Sequence, residues 1–469
     1  MILMFKIKLS NYLSNIKKIN EISTNEILNS FCFPVDSNGQ KNFSELLLNN
    51  FSHYFYWNQP ENNYSFCAID KLKSFSGNGK DRVFETQNII NNSNFVNKNN
   101  FNEYNIGSVP MFVGGMKFSS GIKTNLWNRY EDSDWFIPKY LFLSIDGKQY
   151  FIYNFFFDEN KIENILEQGE TGLNYLLKEK TFTNPDTNYI IKTSNFNQDY
   201  DKSDWMKKVE TALDKIDKGE IKKVVLSRKV KMEFEKTSNI SVLLSKLSKS
   251  YPRCYVFAYG KEDSIFFGAS PEKLAKLSDG FIEADALAGS FPRGRTELED
   301  KILANELMIS KKNRAEQQAV VDSITKSFES FSSQIIYDNK PQIRKLPNIQ
   351  HLWTPIKAKL NNGKSILSIL KEIHPTPAIC GTPYNAALLS IKKSEEHDRG
   401  LYAGIIGWFN FENQGEFAVA IRSALIKGNE LHAFAGCGIV QGSDPEAEYA
   451  ETKLKLRPIS SLFEYESVN

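Results

Sequence analysis

The sequence predicts an α+β fold in a single large domain, with antiparallel sheets packed as a sandwich and helices on the outside. Strand-like and helical segments are mixed along the chain without a regular βαβ period, which argues against a doubly wound sheet. No internal repeat of about 20 to 50 residues is visible, which argues against a solenoid. With 469 residues and 41% hydrophobic content, the chain can bury a large core.

The charge balance limits the kind of partner. The chain carries 58 basic and 56 acidic residues, a formal net charge of +2. A near balance of this kind creates no long-range field that would attract nucleic acid or an anionic membrane. A small molecule is therefore the expected partner.

Cysteine usage and apolar runs indicate the compartment. The five cysteines are scattered without CxxC or CxxH spacing, which argues against a structural zinc site or a disulfide framework. The apolar start of the chain is too short for a signal peptide, and no run of about 18 apolar residues occurs. We expect a reduced, cytoplasmic protein that does not insert into a membrane.

The two halves of the chain differ in character. Residues 1–200 form a divergent amino-terminal half rich in Asn, Phe and Tyr, whereas residues 201–469 carry the recognisable chemical spacing. The Asn-rich stretch near 88–105 is predicted to be an exposed insertion or mobile loop outside the core. Alternation with a period of two predicts that the first half supplies sheet, with strands over 110–118, 140–145 and 149–155.

The second half opens with an amphipathic helix followed by a strand. Apolar residues at helical spacing, an N-cap at Ser203 or Asp204 and a stop at Gly219 predict the helix. The strand is predicted over 221–234, and its alternation brings a lysine, Lys223, into the sheet.

Further along, one long helix is predicted between two groups of strands. A capping box at Thr296 and Glu299 opens this helix, which runs through Glu316 to about Phe328. The predicted strands are 254–259, 264–268 and 281–288 before it, and 402–411 and 416–425 after it.

The last segment combines glycines with carboxylates. A glycine-rich turn is predicted over 436–442, directly ahead of a helix in which Glu448, Glu451 and Lys455 share one face. Backbone N–H groups at the turn and Mg²⁺ on the carboxylates could together bind an anion. A solvated helix face is the simpler interpretation of the same pattern, and the glycine spacing is not a dinucleotide fingerprint.

Two residues are candidates for proton transfer. Lys223 is either a strand lysine that reaches water or a general base, and a base must be uncharged near neutral pH. Glu272 is either a carboxylate at a helix start or a general acid whose pKa burial raises. A neutral amine paired with a neutral carboxylic acid is the combination that acid–base catalysis at neutral pH requires.

The remaining candidates are a possible metal ligand and three polar residues. Glu316 either pairs with Lys312 on the helix surface or joins Glu451 in holding Mg²⁺. Arg422 either reaches solvent from its strand or clamps a carboxylate. His374 and Thr376 each precede a proline, Pro375 and Pro377, and a polar turn fixed by the two prolines is the simple interpretation.

Taken together, these segments closely resemble the chorismate-utilising enzymes. That family includes isochorismate synthase, salicylate synthase and the large components of anthranilate and aminodeoxychorismate synthases. The resemblance spans residues 205–462, and the amino-terminal half resembles the family only weakly. The matching segments, in order, are 223–228, 269–272, 286–290, 312–316, 374–378, 399–404, 416–422 and 436–455.

Two positions decide the branch that this resemblance implies. Amine-forming members usually have Gln where this chain has Lys223, and aminodeoxychorismate synthases tend to have a lysine nucleophile where it has Ala288. The resemblance therefore favours hydroxylation and an isochorismate synthase, for menaquinone or siderophore biosynthesis with a preference for menaquinone. No obligatory glutaminase partner is expected. The alternatives are a salicylate synthase, an anthranilate synthase-like component I, and a non-catalytic binding subunit.

The resemblance also implies a mechanism. Mg²⁺ held by Glu316 and Glu451 binds the ring carboxylate of chorismate, Lys223 takes a proton from the water that attacks C2, and Glu272 protonates the departing C4 hydroxyl. The residues that resemble substrate-binding or pocket-wall positions are Gly289, Ser290, His374, Thr376, Tyr402, Arg422, Gly438, Glu448 and Lys455.

Overall fold

A computed structural model describes residues 1–20, 27–35, 41–93, 96–121, 124–177, 202–234, 239–361 and 363–463. The predicted boundary between the two halves, near residue 200, lies outside these ranges. Across the described ranges, no helix is long and apolar enough to cross a membrane.

Helices and strands are mixed along the described chain, so the predicted α+β class is confirmed. The helices are α1 (Ile2–Asn20), α2 (Arg82–Asn92), α3 (Ile162–Leu177), α4 (Lys202–Asp217), α5 (Ile240–Ser250), α6 (Glu297–Ile309), α7 (Lys311–Glu329), α8 (Ile366–Ile373), α9 (Tyr384–Ser394) and α10 (Pro445–Ser460). The strands are β1 (Ile27–Pro34), β2 (His53–Gln59), β3 (Tyr64–Gly77), β4 (Val96–Asn99), β5 (Phe112–Met116), β6 (Ser133–Ile145), β7 (Lys148–Phe156), β8 (Lys223–Glu233), β9 (Tyr255–Lys261), β10 (Ser264–Ser270), β11 (Lys273–Ser278), β12 (Phe281–Pro292), β13 (Ser332–Tyr337), β14 (Gln342–Lys345), β15 (Ile349–Leu360), β16 (Gly381–Thr382), β17 (Ile405–Phe409), β18 (Gly415–Val419), β19 (Ser423–Lys427) and β20 (Glu430–Val440).

Hydrogen bonds connect these strands into one largely antiparallel network. The described pairing of β1 with β4 is parallel, and β2 with β9 and β5 with β17 join the two halves of the chain. Alternate residues of β2 enter different hydrophobic cores: Phe55 and Trp57 pack in one, Tyr54 and Tyr56 in the other. At β2 the sheet is therefore covered on both faces, because successive side chains of a strand point to opposite sides.

The Asn-rich stretch 88–105 forms regular secondary structure where it is described, so the alternative of a mobile loop is wrong. It contains the end of α2, all of β4 and a short 3₁₀ turn. Asn100 is buried, accepts a hydrogen bond from the Cys32 backbone N–H at 2.7 Å and donates one to the Cys32 carbonyl at 3.1 Å. Amide side chains can enter a core when backbone groups satisfy them in this way.

Helix α4 and strand β8 lie where the sequence predicts them. The helix already begins at Lys202, so Ser203 and Asp204 lie in its first turn and neither is the N-cap. It ends before Gly219, which has a φ of +73°. Both faces of β8 are buried over residues 223–228, because helices cover one face and the site described below the other.

The single long helix predicted after Thr296 is instead two helices. Thr296 caps α6 as expected, with its hydroxyl oxygen accepting from Glu299 N–H at 3.2 Å. Ser310 then leaves the helical conformation, with ψ of 112°, and its hydroxyl accepts from the N–H of Asn313 at 3.3 Å. Ser310 thus ends α6 and caps α7, the helix that carries Glu316.

Two further predictions, one of a strand and one of a turn, are wrong, and both concern the site. The strand predicted over 416–425 is broken into β18 and β19, because Arg422 has a φ of +53°. The glycine-rich turn predicted over 436–442 is mostly strand: Gly436 and Gly438 belong to β20, opposite Ser227 and Val225 of β8. Only the end of that segment, including Gly442, forms the turn before α10.

Candidate functional site

Most of the predicted site residues meet around one cavity, which we call the central cavity. Its volume is about 730 Å³, including the part open to solvent. The predicted residues that line it are Glu272, Gly289, Ser290, Glu316, Tyr402, Arg422, Gly438, Glu451 and Lys455. Those that lie outside its lining are Lys223, His374, Thr376 and Glu448.

Lys223 is the first residue of β8 and lies at the edge of the cavity. Its Nζ atom lies 2.6 Å from Oε1 of Glu316, a lining residue on α7, and its side chain is 6% exposed. The positive charge of Lys223 helps to lower the pKa of Glu316 against the opposing effect of burial. The structure therefore brings a predicted base and a predicted metal ligand into direct contact.

A second lysine–carboxylate pair faces the same cavity from α10. Lys455 Nζ lies 2.6 Å from Glu451 Oε1, one helical turn earlier, and also donates to the carbonyl of Gly436 at 3.1 Å. Burial opposes the ammonium, but the Glu451 carboxylate outweighs it and raises the pKa of Lys455. The predicted shared face of Glu451 and Lys455 is confirmed.

The glycines of β20 make room for these side chains. A Cβ atom on Gly438 would lie 2.7 Å from Cε of Lys223 and 3.3 Å from Oε1 of Glu316. On Gly436 it would lie 3.2 Å from the Tyr402 hydroxyl. Within this strand, both glycines leave space that a side chain would occupy.

Glu272 is buried where Pro271 leads into β11. Burial is the largest cause and the negative charge of Asp285 the next, and together they raise the pKa of Glu272 to about 8. Arg422, Lys455 and Lys223 act in the opposite direction. Glu272 is therefore a carboxyl group that stays protonated at neutral pH, as a general acid requires.

Arg422 enters the cavity from the break between β18 and β19. Its side chain is buried, and Nη2 lies 3.5 Å from Nε2 of His351 on β15. The other ring nitrogen, Nδ1, lies 3.1 Å from both the Gly289 carbonyl and the Ser290 hydroxyl. Gly289 has a φ of +69° at a shift in the β12–β15 register, which turns this carbonyl towards His351.

His374 and Thr376 support the cavity wall from behind. His374 Nε2 donates to the carbonyl of Ala403, a lining residue, at 2.9 Å, and burial lowers the pKa of His374 to about 4. The carbonyl of Thr376 accepts from the N–H of Ile379, another lining residue, at 3.1 Å. Neither side chain reaches the cavity lining.

Glu448 points away from the cavity although it shares α10 with Glu451. Its Oε1 accepts from the Ser443 hydroxyl at 2.7 Å and lies 3.3 Å from Nζ of Lys312. These contacts tie the start of α10 to α7. The structure thus does not place Glu448 beside Lys455 in the cavity.

The lining of the central cavity also includes two basic side chains that the sequence did not assign to the site. One is His351, an isolated histidine within a strand pattern, which carries no sequence signal of its own. The other is Arg399, whose Nε donates to Glu395 Oε2 at 2.8 Å and whose Nη2 donates to the Val225 carbonyl at 2.7 Å. Arg399 lies in a segment that carries the family resemblance, so a signal for it was present.

Carboxylates are the residues best suited to a hard metal ion at this site. Glu316 and Glu451 both line the cavity, and each has one carboxylate oxygen in a salt bridge with a lysine ammonium group. Among the residues described, no group of three or more His, Cys, Asp or Glu side chains is gathered closely enough to hold a metal ion. The described part of the chain thus offers few oxygen ligands at one place.

The fold and the cavity together define an α+β enzyme with a buried, charged site for a small molecule. The chain belongs to the chorismate-binding enzyme family, whose model matches residues 14–464. Isochorismate synthase MenF of Bacillus subtilis is 33% identical over 420 residues, 87% of this chain and 87% of that protein. A salicylate biosynthesis isochorismate synthase of Pseudomonas aeruginosa is 39% identical over 252 residues, 54% of this chain and 53% of that protein.

A solved structure shares the fold. MenF, the menaquinone-specific isochorismate synthase from Escherichia coli, matches with a TM-score of 0.78 at 23% identity, over 97% of this chain and 100% of that chain. This structural similarity includes the amino-terminal half, whose sequence resembles the family only weakly.

Proposed function

We propose that this chain is an isochorismate synthase, which isomerises chorismate by adding water at C2 and losing the C4 hydroxyl. The named relative from Bacillus subtilis, similar over 87% of both chains, supports this function. The observation that carries it is Glu272, a buried carboxyl group with a pKa of about 8 that lines the same cavity as Arg422 and Lys455. That combination provides a proton donor beside groups that attract carboxylates.

Chorismate carries two carboxylates, and the site has the charges to bind them. Arg422 offers a planar guanidinium that suits bidentate contact with a carboxylate. Lys455 adds an ammonium group, and Tyr402 and Ser290 add hydroxyl donors in the lining. Such groups are effective here because the cavity is buried and screening by water is reduced.

Glu316 and Glu451 would hold Mg²⁺ at this site. Two carboxylates fit an ion that binds few protein oxygens and keeps positions for water and substrate. When bound, Mg²⁺ would supply positive charge for the ring carboxylate of the substrate. Both carboxylates line the central cavity, which supports this placement.

The protein's own residues would move the protons. Lys223 would accept a proton from water while the water oxygen bonds to C2. Glu272 gives its proton to the C4 oxygen, which leaves as water while the ring double bonds shift. One water enters and one leaves, so the reaction is an isomerisation. Glu272 ends as a carboxylate and Lys223 as an ammonium group. Both are restored when Lys223 releases one proton and Glu272 takes one up, so the cycle consumes no net proton.

A salicylate synthase is the nearest rival, because it would form isochorismate and then expel pyruvate in the same cavity. The similarity to a salicylate biosynthesis isochorismate synthase favours the synthase activity alone, since that relative too is named for isochorismate. An anthranilate synthase-like component I is disfavoured by Lys223, and no glutaminase partner is proposed. A non-catalytic subunit is disfavoured by the protonated Glu272 facing the cavity.

Product analysis tests the proposal. The purified protein is incubated with chorismate, with and without Mg²⁺, and the products are separated and identified by mass spectrometry. Isochorismate that depends on Mg²⁺ supports the proposed function. Formation of salicylate and pyruvate would instead identify a salicylate synthase. An aminated product in ammonium buffer would favour the anthranilate branch. The absence of any product would favour a non-catalytic binding subunit.

Pathway and compartment follow from the same proposal. We propose menaquinone rather than siderophore biosynthesis, because the relative similar along most of its length carries the name MenF. A cytoplasmic location is supported by the cysteines, all five of which are buried free thiols.

A further inference from the structure

A second cavity lies behind the wall of the central cavity, and we call it the rear cavity. Its lining includes Tyr255, Lys273, Asp285, Arg344 and Glu416. Glu272, which lines the central cavity, directly precedes Lys273, and residues 287–290 of β12 line the central cavity just beyond Asp285. The two cavities therefore share a wall made by the start of β11 and the middle of β12.

Asp285 is the buried anion in this wall. Its side chain is 1% exposed, and its Oδ2 accepts from Nη1 of Arg344 at 2.8 Å. Its Oδ1 lies 3.9 Å from Nζ of Lys273 and has no hydrogen-bond partner among the described residues. One carboxylate oxygen thus remains without a close donor in a region of low dielectric, where its charge acts strongly on neighbouring groups.

The other charged groups of the rear cavity are less buried than Asp285, and of these Glu61 and Arg253 are exposed and Lys276 is half-buried. Lys273 and Arg344 are each 20% exposed, so water screens their positive charges more than it screens Asp285. Glu283 lies nearer to solvent and is shared by Lys273 and Lys357. Glu416 is buried and accepts from the Tyr255 hydroxyl at 2.9 Å, so the groups most deeply buried on this side are acidic.

The central cavity presents the opposite charge to Glu272. Arg422, Lys455 and Lys223 all favour the ionised form of its carboxyl group, whereas burial and the negative charge of Asp285 oppose it. The backbone holds Glu272 between the two sides, because its carbonyl accepts from Val419 N–H at 3.1 Å. A carboxyl group that faces three cations needs such an opposing influence to keep its proton.

We propose that Asp285 is a positioning residue that acts through the shared wall and keeps Glu272 protonated against the cations of the central cavity. Asp285 touches neither substrate nor metal in this arrangement, and its effect is electrostatic. The inference rests on the proposed function insofar as Glu272 is the acid of that reaction.

A direct titration of Glu272 tests this role without any turnover. The protein is labelled with ¹³C at glutamate carboxyl carbons, the Glu272 signal is assigned with Glu272→Gln, and its NMR shift is followed against pH. We expect Asp285→Asn to lower the titration midpoint of Glu272 by about one pH unit or more. An unchanged midpoint in the folded Asp285→Asn protein would overturn the proposal.

A matched control lies on the same strand. Glu283→Gln removes the same charge two residues away on β12, at a side chain 35% exposed, and should leave both the Glu272 midpoint and the turnover unchanged. If Glu283→Gln shifted the midpoint as far as Asp285→Asn does, the total charge of the rear cavity, and not Asp285 in particular, would determine the titration midpoint of Glu272. That result would contradict the proposal.

Asp285→Asn leaves Arg344 without its ionic partner, and this could prevent folding. The double variant Asp285→Asn/Arg344→Gln removes both charges and is titrated in the same way, with the same expected decrease. In turnover assays, the alkaline fall of kcat should move to lower pH in the Asp285 variants, while a purely structural defect would lower kcat at every pH.

The two proposals fail in different experiments. If the unaltered protein formed no isochorismate, the proposed function would fail while the titration still measured the effect of Asp285. If isochorismate formed normally and the midpoint did not move in the Asp285 variants, only the inference about Asp285 would be wrong.

Discussion

Lys223 Nζ lies 2.6 Å from Glu316 Oε1, so the proposed base and a proposed metal ligand are ionic partners of each other. Only one carboxylate oxygen of Glu316 makes this contact, so the other could still serve a metal ion. If Lys223 acts as the base, it would have to be uncharged, and the ionic attraction within the pair would then be lost. The contact between the two side chains therefore connects the proposed base to the proposed metal site.

Lys223→Gln is expected to lower isochorismate formation by about a hundredfold or more, because an amide cannot accept the proton from water. Glutamine retains an N–H donor for Glu316, so the buried carboxylate keeps a partner and the variant should fold. Rates of product formation and a thermal unfolding curve measure the two effects separately.

The neighbouring Lys222→Gln is the matched control, since Lys222 is exposed and precedes β8. It should retain the unaltered rate. A Lys223→Gln protein with near-normal turnover would remove Lys223 from the mechanism.

Glu451→Gln is expected to weaken Mg²⁺ binding by about tenfold or more, because an amide is a poorer ligand for a hard cation than a carboxylate. Lys455 would lose its ionic partner but keep the Gly436 carbonyl as an acceptor. Isothermal titration with MgCl₂ measures the affinity. Glu446→Gln changes an exposed carboxylate on the same helix and serves as the control.

Unchanged Mg²⁺ affinity in Glu451→Gln would place the ion elsewhere. In that case Glu316→Gln should also leave the affinity unaltered, and the pair of measurements would exclude the site between α7 and α10.

Gly438→Ala is expected to reduce kcat by about tenfold to a hundredfold, because its methyl group would lie 2.7 Å from Cε of Lys223. The side chain must move, and the ion pair with Glu316 moves with it. The cost in stability should be about 1–3 kcal/mol, as for other overpacked sites. Chemical denaturation and steady-state kinetics measure the two effects.

Gly107→Ala is the control for this substitution, since a Cβ atom there would meet nothing within 4 Å. Equal losses of activity in the two variants would show that Gly438 does not act through Lys223.

Elements with a strong local signal could be predicted from the sequence. Helix α4 carries apolar residues at helical spacing and a glycine stop, and β8 alternates cleanly, so both were found within a few residues. The i to i+4 relation of Glu451 and Lys455 likewise depends only on helix geometry. These features are decided by residues close together in the chain.

Features that depend on distant residues were missed. Arg422 has a positive φ between β18 and β19, and no glycine marks this position in the sequence. His351 and Asp285 gain their roles only because β12 and β15 pair beside the cavity. The break at Ser310 is different, because serine is a preferred N-cap residue and its signal is therefore local in the sequence.

The pH dependence of the protein should report the protonation of Glu272. Its carboxyl group has a pKa of about 8 when folded and 4.5 as the ordinary value, because burial and Asp285 outweigh Arg422, Lys455 and Lys223. Between these values the folded state holds a proton that the unfolded state has released. The Glu272 contribution to stability therefore falls as pH rises through this window, by up to about 1.4 kcal/mol per pH unit, and is constant above it.

Comparison with Glu272→Gln isolates this contribution, since glutamine does not titrate. The free energy of unfolding, measured from about pH 5 to about pH 8, should decrease more steeply in the unaltered protein than in the variant. Loss of the same proton should also lower the activity, with kcat falling about tenfold per pH unit above the pKa of Glu272 in the substrate complex. Parallel stability curves for the two proteins would mean that Glu272 is ionised when folded, and Glu272 could then not serve as the acid for the C4 hydroxyl.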